Sequence, residues 1–281
     1  MLITGETGVG KEKVARLIHN HSRRAGHPMV AVNCGAIVDT LLASELFGVA
    51  KGAFTGAVAR PGRLRRAHNG TIFLDEIGEM TPEMQTRLLR VLQERTFEPV
   101  GSEEPVTVDV RVIAATNLDL EQAIQQKRVR ADLYHRLNVL EIPVPPLHER
   151  TGDIPLLAAH FLKKFGTPRS VSAIEPDAMQ ALIAYPWPGN IRELENVIVS
   201  AVIQAKPGTI RLEHFKEKLR AKPPAVPHAV NPKKNIKAAN RQALRAALVA
   251  WLEENGRDID EAASHFGKKK SWAYALLKAV C

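Results

Sequence analysis

Seven consecutive residues, Gly5, Glu6, Thr7, Gly8, Val9, Gly10 and Lys11, have the types and spacing that hold a phosphate chain. They fit the pattern G-x-x-x-x-G-K. Its glycines let backbone N–H groups curl around phosphate oxygens, and its lysine reaches the β and γ phosphates. An apolar stub precedes the loop and an amphipathic stretch follows it. That strand–loop–helix setting favours nucleotide binding over an ordinary glycine-rich turn. Glu12 stands where the general pattern has the Ser or Thr that helps to hold Mg2+. A second group lies at the end of the apolar run 71–74, where Asp75 and Glu76 follow directly. Asp75 is placed to hold Mg2+, directly or through water, and Glu76 to polarise a water for attack on the γ-phosphorus. Taken alone the pair could be an acidic turn; with a phosphate loop upstream the chemical reading prevails. The run 110–115 ends in Thr116 and Asn117. An amide there can sense the γ-phosphate or orient the water, although Asn is also common in turns. Arg130 and Arg136 flank Asp132, Leu133, Tyr134 and His135, and Arg192 follows Pro186, Trp187, Pro188, Gly189 and Asn190. Guanidiniums stabilise the charge that develops in phosphoryl transfer, often from a neighbouring subunit, while surface ion pairing is the plainer reading of any single arginine.

These groups need a scaffold that brings strand ends and helix starts together. Apolar, β-rich runs occur at 29–32, 71–74 and 106–115, and helical periodicity at 11–21, 82–94 and 118–126. Such alternation predicts an α/β fold over residues 1–143, a mainly parallel sheet with helices on both faces. Ligands sit where the parallel strands end. From Pro143 onward the sequence Pro-Val-Pro-Pro interrupts any strand or helix. Only helical patterns follow, at 154–165, 176–185 and 191–205, which predicts a small all-α subdomain over 144–219. Residues 220–235 include four prolines without apolar periodicity and read as a linker. Residues 236–281 form a last helical unit.

The chain has 281 residues, 45% hydrophobic and 25% charged, which suits a soluble globular protein. No apolar run approaches the roughly 20 residues needed to span a bilayer, and the start has no signal-peptide pattern. Two cysteines, Cys34 and Cys281, are too few for a disulfide framework, so a cytoplasmic location is expected. From Arg220 onward there are 12 Lys and Arg against 5 Asp and Glu, so +7 of the formal +9 lies in the final segment. A basic tail on a near-neutral body points to nucleic acid; a solvated charged tail is the alternative.

One stretch is more specific than any of these. Glu45, Leu46, Phe47 and Gly48 are followed by Lys51 and then Gly52, Ala53, Phe54, Thr55, Gly56 and Ala57, the hexapeptide GAFTGA. With GTIFLDEIGE (70–79), LLRVLQER (88–95), VRVIAATN (110–117), DLYHRLNV (132–139) and YPWPGNIRELENV (185–197), the chain resembles the sigma-54-dependent transcriptional activators over roughly residues 1–206. The resemblance implies an AAA+ ATPase that uses ATP and Mg2+, assembles as a homo-oligomeric ring (a hexamer in this family) and opens promoters for the sigma-54 RNA polymerase holoenzyme. It implies that residues 52–57 contact sigma-54 with Phe54 and Thr55 at the tip. It further implies that Asn33 restrains Glu76, that Asn117 and Arg192 are sensors, and that Arg130 and Arg136 act in trans. Glu12 is usual at its place in the family. A Fis-type helix-turn-helix at the C-terminus would bind DNA upstream of promoters, with Lys268, Lys269, Lys270, Ser271, Trp272 and Tyr274 nearest to it, although WAYALLKA is unusually apolar for a recognition helix. Val49 and Ala50 replace the usual His-Glu before the hexapeptide. The chain also starts at the strand before the phosphate loop, without the upstream segment that helps to cover adenine and without a regulatory domain. A truncated, DNA-binding regulator with an inactive ATPase is therefore the alternative; a different AAA+ machine, such as a loader or helicase, fits the hexapeptide poorly.

Overall fold

The computed structural model describes residues 1–36, 39–166, 171–205, 208–215 and Leu219. The expected linker at 220–235 and helix-turn-helix at 236–281, with Lys268, Lys269, Lys270, Ser271, Trp272 and Tyr274, lie outside the described residues. The described chain divides into two compact units. One holds Met1–Gly5 and Lys11–Pro143; the other holds Glu6–Gly10 and the residues that follow Pro143.

The first unit is built on strands β1 (Leu2–Thr4), β2 (Met29–Asn33), β3 (Gly48–Val49), β4 (Arg60–Pro61), β5 (Thr71–Asp75), β6 (Thr96–Phe97), β7 (Val106–Thr107), β8 (Arg111–Thr116) and β9 (Glu141–Pro143). Its helices are α1 (Lys11–Asn20), α2 (Asp39–Phe47), α3 (Arg63–Arg66), α4 (Pro82–Glu94), α5 (Leu120–Gln125) and α6 (Ala131–Leu137). Five strands form one parallel sheet in the order β2-β5-β8-β1-β9. Ile72, Phe73, Leu74, Ile113, Ala114 and Ala115 are all within 1% of full burial. Successive strand residues point to opposite faces, so both faces of the sheet are covered, as the unbroken apolar runs of β5 and β8 require. Helix α4 begins with Pro82 at its first position, where the missing N–H costs nothing, and turns Met84, Leu88 and Val91 inward. It ends at Arg95, whose φ of 57° stops the helix.

The run 106–115, expected as one strand, is two. Val106–Thr107 pairs antiparallel with Thr96–Phe97, and Arg111–Thr116 enters the main sheet. The break falls at Asp109. Its carboxylate takes two hydrogen bonds of 2.8 Å from Arg24 and one of 3.1 Å from Arg95, and its carbonyl accepts from the Asn69 amide at 2.7 Å. A polar residue with these partners cannot stay in an alternating apolar strand.

The second unit contains α7 (Ile154–Phe165), α8 (Pro176–Ala184) and α9 (Asn190–Gln204) around a core that includes Leu147, Ile154, Phe161, Leu182, Trp187 and Leu194. Helix expectations at 154–165 and 176–185 agree with α7 and, to one residue, with α8. The unit also has two short strands, β10 (Val171–Ile174) and β11 (Gly208–Ile210), paired in parallel. Segments this short carry no readable period, which is why only the helical signals stand out in this part of the chain. No helix among the described residues is long and apolar enough to cross a membrane.

Candidate nucleotide site

In the first unit the sheet register brings the expected groups to one edge. Thr4 is level with Thr116, and Asn33 is level with Asp75. Residue 5 leaves β1, Asn33 ends β2, Asp75 and Glu76 end β5, and Asn117 follows β8. The C-terminal edge of a parallel sheet is where such folds bind ligands. Lys11, at the start of α1, is 7% exposed, and its ammonium donates to the Gly5 carbonyl at 2.7 Å. Asp75 Oδ1 accepts from the Glu76 amide at 3.0 Å.

Glu76 itself is left-handed, with φ 55° and ψ 45°. A non-glycine residue held there costs on the order of 1–3 kcal/mol, and such strain collects at functional sites. The carboxylate makes no hydrogen bond or ion pair among the described residues. It lies against Gly35, where an added Cβ would stand 2.4 Å from Glu76 Oε2, so a side chain there would displace the carboxylate. Asn33 does not bond to Glu76. Its Oδ1 accepts from the amides of Gly35 and Ala36 at 2.9 and 3.0 Å, which folds the chain after β2 into the turn that carries Gly35. Cys34, 2% exposed, sits beside both acids. Burial pushes its thiol up to about 12, and the charges of Asp75 and Glu76 add to the shift.

The phosphate loop proper, Glu6–Gly10, belongs to the second unit. Gly8 has φ 82° and packs so closely that an added Cβ would stand 2.5 Å from the Gly189 carbonyl, so no other residue fits. Three successive loop carbonyls are held. Asn190 Nδ2 donates to Thr7 at 3.1 Å, the Ile191 amide to Gly8 at 3.0 Å, and Arg150 Nη2 to Val9 at 2.7 Å. The next three amides, of Gly8, Val9 and Gly10, make no hydrogen bond among the described residues. Unpaired donors cost free energy unless a ligand or water meets them, and an anion is the group they fit. Asn190 is fully buried, with φ 53°. Its Nδ2 also donates to Glu6 Oε2 at 2.8 Å, and its Oδ1 accepts from the Leu147 amide at 2.7 Å. Arg192 is exposed in the first turn of α9, and its Cβ would be 3.2 Å from a Cβ on Gly8.

The remaining expected residues are placed as follows. Glu12 is exposed and pairs with Arg16 one turn on, at 2.8 Å. Arg130 and Arg136 are exposed at the two ends of α6. Arg130 grips Asp132 at 2.7 and 3.0 Å, which raises its pKa and lowers that of Asp132, while Arg136 donates to the Leu92 carbonyl at 3.2 Å. None of their hydrogen bonds goes to the strand edge. Residues 52–57 form the tip of the β3–β4 hairpin. Phe54 is 60% exposed, and Gly52 and Gly56 both have positive φ. The hairpin base is clamped by Glu45, which pairs with Arg60 and with Arg63. Val100 brackets it further, donating to Gly48 and accepting from Ala50 at 2.9 and 3.0 Å. Arg150 and Asn190 escaped the sequence reading as site residues. Neither stands in a spacing that announces a phosphate contact, and only the fold shows that they reach the loop carbonyls.

The chain matches the sigma-54 interaction domain family over residues 1–143 and the AAA+ ATPase lid domain family over 148–232. The Nif-specific regulatory protein of Herbaspirillum seropedicae is 52% identical over 218 residues, which is 76% of this chain and 40% of that protein. The transcriptional regulatory protein ZraR of Salmonella typhimurium is 47% identical over 284 residues, 99% of this chain and 62% of ZraR. The chain thus spans less than two thirds of either relative. Among solved structures, NtrX of Brucella abortus in complex with ADP superposes with a TM-score of 0.72 at 34% identity, over 99% of this chain and 64% of NtrX.

Proposed function

This chain belongs to the family of sigma-54-dependent transcriptional regulators with AAA+ domains, and on that premise we propose that it couples ATP hydrolysis to promoter opening by the sigma-54 RNA polymerase holoenzyme. The observation that carries the reading is the row of three loop amides, of Gly8, Val9 and Gly10, that make no hydrogen bond among the described residues, within a stretch of G-x-x-x-x-G-K pattern. That is a receptor for a polyphosphate. The donor set fits ATP as substrate. Gly5, Glu6, Thr7, Gly8, Val9 and Gly10 wrap the phosphates by their backbone, and Lys11 exchanges the Gly5 carbonyl for a phosphate oxygen.

Among the described residues no three His, Cys, Asp or Glu side chains cluster as a metal site. A Mg2+ ion would therefore be held by Asp75 together with oxygens of the nucleotide, and would supply neutralisation of phosphate charge. Glu76, whose carboxylate is free of competing donors, takes a proton from the attacking water as that water approaches the γ-phosphorus. Asn33 acts on Glu76 through the backbone: it holds the turn whose Gly35 the carboxylate rests on. Asn117 and Arg192 serve as sensors of the γ-phosphate. Arg130 and Arg136 stabilise charge at the site of a neighbouring subunit in a homo-oligomeric ring, which agrees with their exposure and with hydrogen bonds that avoid their own strand edge. Phe54 and Thr55, exposed on the hairpin with Gly52, Ala53, Gly56 and Ala57, contact sigma-54. The basic C-terminal segment, with Lys268, Lys269, Lys270, Ser271, Trp272 and Tyr274, binds DNA upstream of promoters.

The test is open-complex formation on a sigma-54 promoter, with ATP or a non-hydrolysable analogue. The purified chain opens the promoter with ATP alone, and Thr55→Ala keeps its ATPase rate but loses opening at least tenfold. Opening that is as good without hydrolysis, or undiminished in Thr55→Ala, contradicts the proposal.

A further inference from the structure

We propose that Arg150 and Asn190 are positioning residues for the phosphate loop, which they hold from behind so that its amides are presented to the nucleotide. The inference rests on the ATP-binding reading above and adds to it two residues that contact no phosphate.

The peptide group is planar and trans, so the carbonyl of one residue and the N–H of the next point in opposite directions. A fixed carbonyl therefore aims the following amide. Asn190 Nδ2 fixes the Thr7 carbonyl, which aims the amide of Gly8. The Ile191 amide fixes Gly8, which aims Val9. Arg150 Nη2 fixes Val9, which aims Gly10. Gly8, Val9 and Gly10 are the three residues whose amides have no partner among the described residues. The correspondence is one to one. A loop with glycines at φ 82° and 99° has wide conformational freedom, and three anchors on consecutive carbonyls remove it before the ligand arrives.

Both anchors are themselves held in place. Asn190 is fully buried and bound through both side-chain atoms, to Leu147 on one side and to Glu6 and Thr7 on the other. Arg150 has 16% of its side chain exposed, lies 3.8 Å from Asp153, and leaves its Nε buried without a partner. Burial works against its charge and Asp153 offsets part of that cost. A guanidinium kept under these conditions directs its hydrogen bond to the loop, at 2.7 Å.

The test measures ATP affinity and KM for the full chain carrying Arg150→Met, Arg150→Lys and Asn190→Ala, with Lys11→Ala as reference, and the melting temperature of each without nucleotide. Arg150→Met is expected to raise Kd and KM for ATP about tenfold, the worth of one hydrogen bond from a charged donor. Its kcat stays within about twofold, because the attacking water and Glu76 are untouched. Arg150→Lys, which keeps a donor for the Val9 carbonyl, recovers most of the affinity. Asn190→Ala weakens ATP binding at least as much. Arg150→Met with unchanged ATP affinity would overturn the inference. So would a loss that Arg150→Lys fails to rescue and that follows the fall in melting temperature. In either case, ATP binding by the wild type that is lost in Lys11→Ala leaves the nucleotide reading standing. Wild-type protein that binds no ATP overturns both.

Discussion

Cys34 shows how a residue with no chemical role reports on its neighbours. It is buried beside Asp75 and Glu76, and its thiol is pushed up to about 12 by burial and by those two carboxylates. At pH 8 it therefore stays protonated, and only the thiolate is nucleophilic. Iodoacetamide at pH 8 is expected to leave the Cys34 peptide unlabelled in the folded protein and to label it fully in urea, as mass spectrometry would read. Rapid labelling of the folded chain would mean that Cys34 is not packed against the acidic pair as described. At this scale the sequence was most legible where chemistry fixes spacing. The positions of Lys11, Asp75, Glu76 and Asn117 at strand ends and helix starts followed from short patterns. The partner of Asn33 did not. Its amide oxygen is taken by the two backbone N–H groups of its own turn, a local competition that no sequence pattern displays.

The elements differ in how clearly they could be read. Helices α1, α4 and α7 have strong periodicity and were expected to within one or two residues. Helix α2 was not expected. Its sequence DTLLASELF is apolar on several sides, with Leu42 and Leu46 buried and Leu41 59% exposed, so no single stripe marks it. Strand β8 was drawn too long because valines on both sides of Asp109 mimic one continuous run. Asp109 is where that reading failed, and its environment gives a measurable consequence. The hydrogen bonds and charge of Arg24 hold its carboxyl below the usual range, with Arg95 adding to the effect. A depressed folded-state pKa stabilises the protein above the unfolded value, about 4, and that contribution is lost as pH falls through the folded value. Because Asp109 is 41% exposed, solvent screening limits the pair to about 1 kcal/mol even with two-pronged geometry. Asp109→Asn should lower the urea midpoint at pH 7 by a corresponding amount, and the difference from wild type should shrink below pH 4. A difference that stays constant or grows toward low pH would show that the ion pair is not its source.

At the scale of the molecule, the described chain forms two compact units. The acids and the lysine belong to the sheet, and the loop amides belong to the helical unit with Arg150 and Asn190. The sequence made the α/β class legible because strands buried on both faces must read as unbroken apolar runs. It could not show that Glu6–Gly10 packs with residues more than 130 positions away, since hydrogen bonds such as Arg150 to Val9 leave no local pattern. The central claim is that the chain binds ATP with this loop and hydrolyses it through Glu76. The most direct measurement is phosphate release by wild type and Glu76→Gln in the presence of Mg2+, with ATP binding followed in parallel. Wild type should turn over, and Glu76→Gln should bind ATP within about threefold of wild type while its turnover falls at least a hundredfold, the scale of a lost general base. Full turnover in Glu76→Gln would contradict the assignment.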